Sequence, residues 1–372
     1  MKPLKAWART LLAQDGLAIL LVAGLLATGL TFIYSASWRG EGIVGAWFSR
    51  QILWVIIGSV VAFALMLMDY RFWINQAWWF YALSLLLLVL VLLVGKKVYG
   101  AYRWLNIFGI LVQPSEFAKV AMVLVLARVL GSPGVRTRSF GTVLGALILA
   151  ALPFLLILKE PDLGTAMVLV PTVLFMLFAA GAALRHLFGM GLIGLVLSPI
   201  GWLTLGNYQR DRIMTFLDPS RDPLDSGWNA LQSAIAVGSG GFSGKGFLNG
   251  TQNVLGFLPR TVSPSDFIFP VLAEETGFIG ASLLLLAFLF LLSCYIRTAW
   301  TSKDPAGSLL ATGIAGLLFC HVFVNIGMTI GLLPITGLPL PFVSSGGSFM
   351  VSTLAGFGLV QSVHVRRMRR ED

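Results

Sequence analysis

The chain has 372 residues, of which 57% are hydrophobic and only 11% charged. A soluble domain carries about twice that charged share, and the apolar runs are continuous rather than alternating, so neither a soluble fold nor an outer-membrane barrel fits. The formal net charge of +10 comes with no separate basic domain and no aromatic RNA-binding pattern, so the cations read as flanks of membrane spans and nucleic acid is not expected as a partner.

Runs close to the roughly 20 apolar residues needed to cross a bilayer recur along the whole sequence. They predict an all-α polytopic membrane protein, a single bundle of about ten transmembrane helices forming one domain over residues 1–372. The segment Met1–Gly16 reads as a basic flank before a retained first anchor, a cleaved signal peptide being the alternative. The predicted spans are Gly16–Ser35, Gln51–Met68, Ala77–Val94, Ser115–Leu130, Gly141–Leu158, Gly164–Gly181, Leu187–Leu205, Asp266–Tyr295, Pro305–Leu333 and Ser348–Val363. A large extracytoplasmic loop, about 206–265, separates helices seven and eight. Cys294 and Cys320 fall inside spans and read as small core residues, while His186, His321 and His364 have no metal-ligand spacing.

An even number of spans puts both termini on one side. The loops carrying Lys2, Lys5, Arg9, Arg71, Arg136, Arg138, Arg185, Arg297, Lys303 and the tail arginines are the more basic set and are expected to face the cytoplasm. The opposite loops hold Lys96, Lys97, Arg103, Arg210, Arg212, Lys245 and Arg260, most of them in the long loop, whose charge has little influence on orientation.

The polar groups that carry chemistry gather in five segments assigned to the outer face. In RWLNIFGILVQPSEFAK (Arg103–Lys119), Pro114 and Ser115 fit a helix start, with Ser115 as cap. Glu116 and Lys119 are three apart on one helical face; a structural ion pair and direct substrate contact are both open. In KEPDLGT, Asp162 either caps the next helix or lines a cavity, and Glu160 is read the same two ways. The stretch GSGGFSGKGFLNGTQ is glycine-rich around Lys245; its amides suit an anion, although flexibility is the usual reason for such a run, and a glycine follows the lysine where a Walker A loop needs Ser or Thr. In SDFIFPVLAEE, Asp266 stands at the boundary between polar loop and apolar span, where a charge is costly unless solvated or paired. Glu274, about two turns on, is on the order of 12 Å from it, too far for a glycosidase pair. In GLLPITGLPLPFVSSGGS, three prolines break the span, and Ser344, Ser345 and Ser348 precede a helix whose N-terminus suits a phosphate.

Taken together, QPSEFAK, KEPDLGT, GSGGFSGKGFLNGTQ, SDFIFPVLAEE and GLPLPFVSSGGS resemble, in order and spacing from about residue 15 to 365, the SEDS family (shape, elongation, division and sporulation), and its RodA-like elongation branch more than its division branch. The resemblance implies a peptidoglycan glycosyltransferase of the bacterial cytoplasmic membrane. It would polymerise lipid II outside the cytoplasm during elongation and rod-shape maintenance, together with a class B penicillin-binding protein and other elongation-complex proteins. It also implies that the catalytic carboxylate is Asp266. The pattern departs from the family at LPRTVSPSD, where Arg260 and Pro264-Ser265 replace the usual Glu and His-Thr, and at Ser345, where the family has Tyr; roles of those missing residues are not carried over.

Glycosyl transfer from a lipid pyrophosphate needs a base for the acceptor hydroxyl and positive charge for the leaving group. Asp266 is the expected base. Arg210, Arg212 and Lys245 are the expected pyrophosphate ligands, with Arg103 and Lys119 next and Ser344 and Ser345 beside them; Glu116, Glu160, Asp162 and Glu274 support. No cofactor is assigned, and a divalent cation on the pyrophosphate is compatible with the chemistry. The competing readings are a lipid II flippase and a scaffold for a partner synthase.

Overall fold

The structure is a computed structural model that describes residues 13–38, 46–98, 101–107, 109–204, 206–222, 226–259 and 261–367. Lys2, Lys5, Arg9, Arg260, Arg369 and Arg370 lie outside the described residues.

Each predicted span falls on a helix, because a bilayer-length apolar run satisfies its own backbone only by coiling. In chain order these are α1 (Gly16–Ser37), α2 (Ala46–Leu67), the short α3 (Tyr70–Asn75), α4 (Ala77–Val94), α5 (Pro114–Leu130), α6 (Phe140–Lys159), α7 (Leu163–Ala179) and α8 (Leu184–Thr204). After the loop helices α9 (Asn207–Leu217), α10 (Ser226–Ser239) and α11 (Thr251–Val254) come α12 (Ile268–Thr301), α13 (Pro305–Thr329) and α14 (Gly347–Arg366). Eight are long and apolar enough to cross a membrane; α7 and α5 have 17 residues each, and α5 also carries Glu116, Lys119 and Arg128. The protein is a multi-pass membrane protein.

Two features differ from the sequence reading. The stretch before α5 is not only loop: Lys96–Val98 (β1), Ala101–Ile107 (β2) and Ile110–Val112 (β3) form an antiparallel sheet in the order β1-β2-β3. Such short strands are stabilised by one another rather than by a sequence period, so hydropathy passes over them. The long loop is likewise largely helical, and α10 packs on α12.

Helices α5, α13 and α14 form the interior, with most of their side chains buried. Small residues let their backbones approach: a Cβ at Gly313 would lie 2.5 Å from Val123 Cγ1, and one at Gly358 would lie 2.5 Å from the Ala62 carbonyl oxygen. At the other extreme α8 buries none of its described side chains over Leu184–Leu203, as expected of a helix surrounded by lipid.

Charges collect at the two ends of the bundle. At one end Arg297 Nη2 lies 2.6 Å from Asp15 Oδ2, Tyr70 donates to Asp304 at 2.8 Å and Arg366 Nε lies 3.3 Å from Asp69. Asp266 precedes the same helix that carries Arg297, so the two are separated by roughly 45 Å of α-helical rise. At the other end Arg212, Asp162 and Arg103 stand near Asp266.

Candidate active site

Asp266 lies in a run of turns that ends at α12, its own amide bonded to the Val262 carbonyl at 2.9 Å. Helix α12 starts two residues after it, at Ile268. The side chain is partly buried. Burial raises its pKa, a hydrogen bond from Ser265 and the charge of Arg212 lower it, Asp162 raises it and Arg103 lowers it, and the balance pushes it up to about 6. A carboxylate so placed is a stronger base than one in water and is still ionised at neutral pH.

Three segments build the surroundings. The stretch between α13 and α14 crosses directly beside the carboxylate: Gly337, at φ +72°, stands so close that a Cβ there would lie 3.2 Å from Asp266 Oδ2 and 3.9 Å from Arg212 Nη1. Arg212, from α9, donates through Nη1 to the Ile335 carbonyl at 2.9 Å, which keeps its guanidinium at this edge. The α6–α7 turn supplies Asp162, which caps α7 by accepting from the Thr165 amide at 3.2 Å and from its hydroxyl at 3.0 Å. The cap predicted from sequence is therefore present, and the same carboxylate accepts from Gln113 Nε2 at 3.2 Å and lies 3.7 Å from Arg103 Nη1. Arg103, presented by β2, also donates to the backbone oxygens of Glu160 and Pro161. The Glu160 carboxyl is fully buried without a hydrogen-bond partner; burial first, then the charge of Asp162, push its pKa up to about 9, so it is neutral at pH 7.

The structure does not bring the other expected ligands to this edge. Arg210 donates to the Trp202 carbonyl at 3.0 Å and the Leu203 carbonyl at 2.6 Å, closing the end of α8. Lys245 is held by Glu274 at 2.6 Å, by Ser239 at 2.8 Å and by Thr251 at 2.7 Å. Lys119 is paired with Glu116 at 2.9 Å inside the bundle. Ser344 Oγ accepts from the Leu340 amide at 2.7 Å and donates to the Ser265 carbonyl at 2.5 Å, while the Ser345 amide donates to the Pro264 carbonyl at 2.9 Å. These serines stitch the loop to the turn before Asp266, and Ser348 accepts from the Gln113 amide at 2.9 Å. The expected phosphate cradle at α14 is thus filled by the protein's own groups. Ser115 is not a cap either: Gln113 occupies that position, and the Ser115 hydroxyl is buried without a partner.

The glycine-rich loop has a different task from cradling an anion. Gly277 interrupts α12 with φ 68° and ψ −162°, a conformation open essentially to glycine alone. The amides of Phe278 and Ile279, which would bond the carbonyls of Glu274 and Glu275 in a continuous helix, turn instead to the carbonyls of Gly241 and Phe242 at 2.9 and 3.2 Å. The two orphaned carbonyls accept from the amides of Lys245 and Gly246, both at 3.0 Å. The loop replaces the two hydrogen bonds that the kink removes.

Among the described residues no group of three or more His, Cys, Asp or Glu is arranged to hold a metal ion.

The FtsW/RodA/SpoVE family of cell cycle proteins matches residues 16–369. This chain belongs to that family. It is 40% identical to the peptidoglycan glycosyltransferase MrdB of Escherichia coli (strain K12), over 95% of this chain and 94% of that one. It is 38% identical to the stage V sporulation protein E of Bacillus subtilis (strain 168), over 94% and 97%. A solved chain from a peptidoglycan synthase complex, described in terms of the coordination of polymerization and crosslinking, superposes with a TM-score of 0.81 at 34% identity, covering 96% of this chain and 100% of that one. The rod shape determining protein RodA of Thermus thermophilus gives 0.72 at 31% identity, covering 96% and 99%.

As a SEDS protein of the RodA-like kind, the chain is a membrane glycosyltransferase. Sequence reasoning gave no role to three of its buried polar residues, Gln51, whose amide bonds the Ser344 carbonyl at 3.3 Å and the Gly346 amide at 3.1 Å, Asn325 and His321, nor to the half-buried Gln113. The available signal was a lone polar residue within or beside an apolar run, which has to find a partner.

Proposed function

We propose that this SEDS protein polymerises lipid II, a disaccharide-peptide on undecaprenyl pyrophosphate, into peptidoglycan glycan strands during cell elongation, with Asp266 as the base. Asp266 takes the proton of the acceptor hydroxyl as its oxygen attacks the anomeric carbon of the donor sugar. The bond from that carbon to the pyrophosphate breaks, and its electron pair leaves on the lipid pyrophosphate. Arg212 meets the charge that develops there, and Arg103, tied to the Glu160–Asp162 turn, adds positive potential and shapes the wall. The observation that carries this reading is a carboxylate of raised basicity flanked by arginines at one end of a membrane bundle, where the lipid tail stays in the bilayer while the sugar leaves it.

The site faces the periplasm or exterior of the bacterial cytoplasmic membrane, and both termini lie in the cytoplasm; the more basic loops at the opposite end support this orientation. A class B penicillin-binding protein crosslinks the strands, a reading supported by the synthase complex among the structural neighbours. The test is purified protein, with and without that partner, incubated with labelled lipid II. Wild type yields glycan, and Asp266→Asn inserts and folds normally but yields none. Polymerisation at the wild-type rate by Asp266→Asn would remove Asp266 from the mechanism. Translocation of lipid II across vesicles without any glycan would replace the polymerase by a flippase.

A further inference from the structure

Asn325 is a fully buried polar residue on α13, one turn after His321. Its Nδ2 donates twice, to the backbone oxygen of Asp266 at 3.0 Å and to that of Leu338 at 2.7 Å. One amide group therefore joins the turn that carries the base to the segment that crosses in front of it. His321 reaches the next carbonyl of the same segment, with Nδ1 3.4 Å from the Pro339 oxygen. The segment needs such anchors: Pro334, Pro339 and Pro341 deny it regular structure, and Gly337 has to stay beside Asp266 Oδ2.

The state of His321 follows from its other neighbour. Lys119 Nζ lies 2.7 Å from His321 Nε2, and an ammonium can only donate, so Nε2 accepts and the ring proton sits on Nδ1, facing Pro339. Glu116, 2.9 Å from the same ammonium, balances its charge, and the Phe349 ring lies 5.5 Å from it. The chain of contacts runs from Glu116 through Lys119 and His321 to the Pro339 carbonyl.

We infer that Asn325 and His321 are positioning residues that hold Asp266 and the backbone at Leu338–Pro339 in register, and that the buried Glu116–Lys119 pair acts on the reaction by fixing the His321 tautomer. The inference rests on Asp266 being the base. It differs from a plain structural ion pair in one consequence. Exchanging the two charges (E116K/K119E) keeps the pair, but a carboxylate at position 119 only accepts. His321 then turns its proton to that carboxylate and presents a lone pair to the Pro339 oxygen, so the anchor is lost.

The test uses the full chain with its partner, lipid II as substrate, and hydrogen exchange on the same samples. Asn325→Asp keeps the shape but sets an oxygen against two carbonyls, and Asn325→Ala removes the donors without that repulsion. Both should lower kcat, Asn325→Asp on the order of a hundredfold, as expected for a base misplaced by about an ångström, with KM little changed. Both should speed exchange of the Leu340 and Ser345 amides. Lys119→Gln, which still offers an N–H to His321, should retain more activity than Lys119→Met, and E116K/K119E should be as poor as Lys119→Met. Wild-type kcat in both Asn325 variants, equal activities of Lys119→Gln and Lys119→Met, or a working charge exchange would overturn the inference. A wild-type protein that makes no glycan would sink the assigned function instead, and exchange would then decide the anchoring by itself: unchanged rates at Leu340 and Ser345 overturn it.

Discussion

At the residue scale, the environment of Asp266 sets how the protein responds to pH. With Asp266 as the proposed base, its deprotonated form is the one that would work, so kcat/KM should rise with pH along a single-proton curve with its midpoint near the residue's pKa of about 6. Arg212→Gln removes a charge that lowers this pKa and should move the midpoint upward, as a pH–rate profile on lipid II would show. Stability runs the other way. The folded protein keeps this proton from the ordinary carboxyl value of 3.8 up to about 6, where an unfolded chain has released it, so the contribution of Asp266 to stability falls as pH rises through that window. Asp266→Asn should therefore abolish polymerisation and raise the melting temperature at pH 7. Glu160 shows the same sign over a wider window, from 4.5 to about 9. Because its carboxyl is already neutral at pH 7, Glu160→Gln should keep polymerisation near the wild-type rate and flatten the fall of melting temperature with pH; a loss of activity as severe as that of Asp266→Asn would show that the carboxylate form is needed. Asp266 was legible in the sequence, since a charge at the edge of an apolar run stands out. The neutrality of Glu160 was not, because it depends on how deeply the α6–α7 turn is buried.

At the element scale, α12 is two helical pieces joined at Gly277, with the glycine-rich loop bonded across the joint. A Cβ at Gly277 would lie 2.3 Å from the Gly244 amide nitrogen, and the backbone conformation itself costs another residue type about 1–3 kcal/mol. Gly277→Ala should lower the unfolding temperature and speed proteolysis within residues 240–246. Lys245 belongs to the same joint. Glu274 is fully buried, so Lys245→Met leaves its carboxylate without a counter-charge, though still bonded by the Thr251 hydroxyl and the Gln252 amide at 3.0 Å each, at a cost of about 3 kcal/mol, the low end of the usual range. Its KM for lipid II should hardly move; a large rise in KM with unchanged melting would return Lys245 to the substrate. The sequence announced a special loop through its glycines. It could not announce the loop's partner, because glycines that bend a loop around an anion and glycines that let it lie against a helix are spelled alike.

At the scale of the whole molecule, the two charged ends of the bundle predict a topology. Ser132 and Ser220 are both exposed and lie on opposite sides of it by the order of the spans. A membrane-impermeant thiol reagent should label Ser220→Cys in cells whose cytoplasmic membrane is intact and reachable, and Ser132→Cys only after permeabilisation. Cys294 and Cys320 are buried and should stay silent. Labelling of both sites from outside, or the reverse pattern, would overturn the orientation.

The sequence by itself determined the membrane class, the helices and the acid at the boundary. Each of these is a local consequence of chain chemistry: an apolar run in lipid has to close its own hydrogen bonds, and a lone charge at its edge has to be solvated or paired. The pairing of Glu116 with Lys119 and the capping of α7 by Asp162 were also within reach, because both partners sit within one helical turn. Tertiary structure alone decided which cations stand near Asp266, that Lys245 and Arg210 are committed elsewhere, and that Asn325 ties the Asp266 turn to the segment in front of it. Those contacts join segments far apart in the chain, and a side chain's partner is chosen by the packing of the helices that carry it, not by its neighbours in sequence.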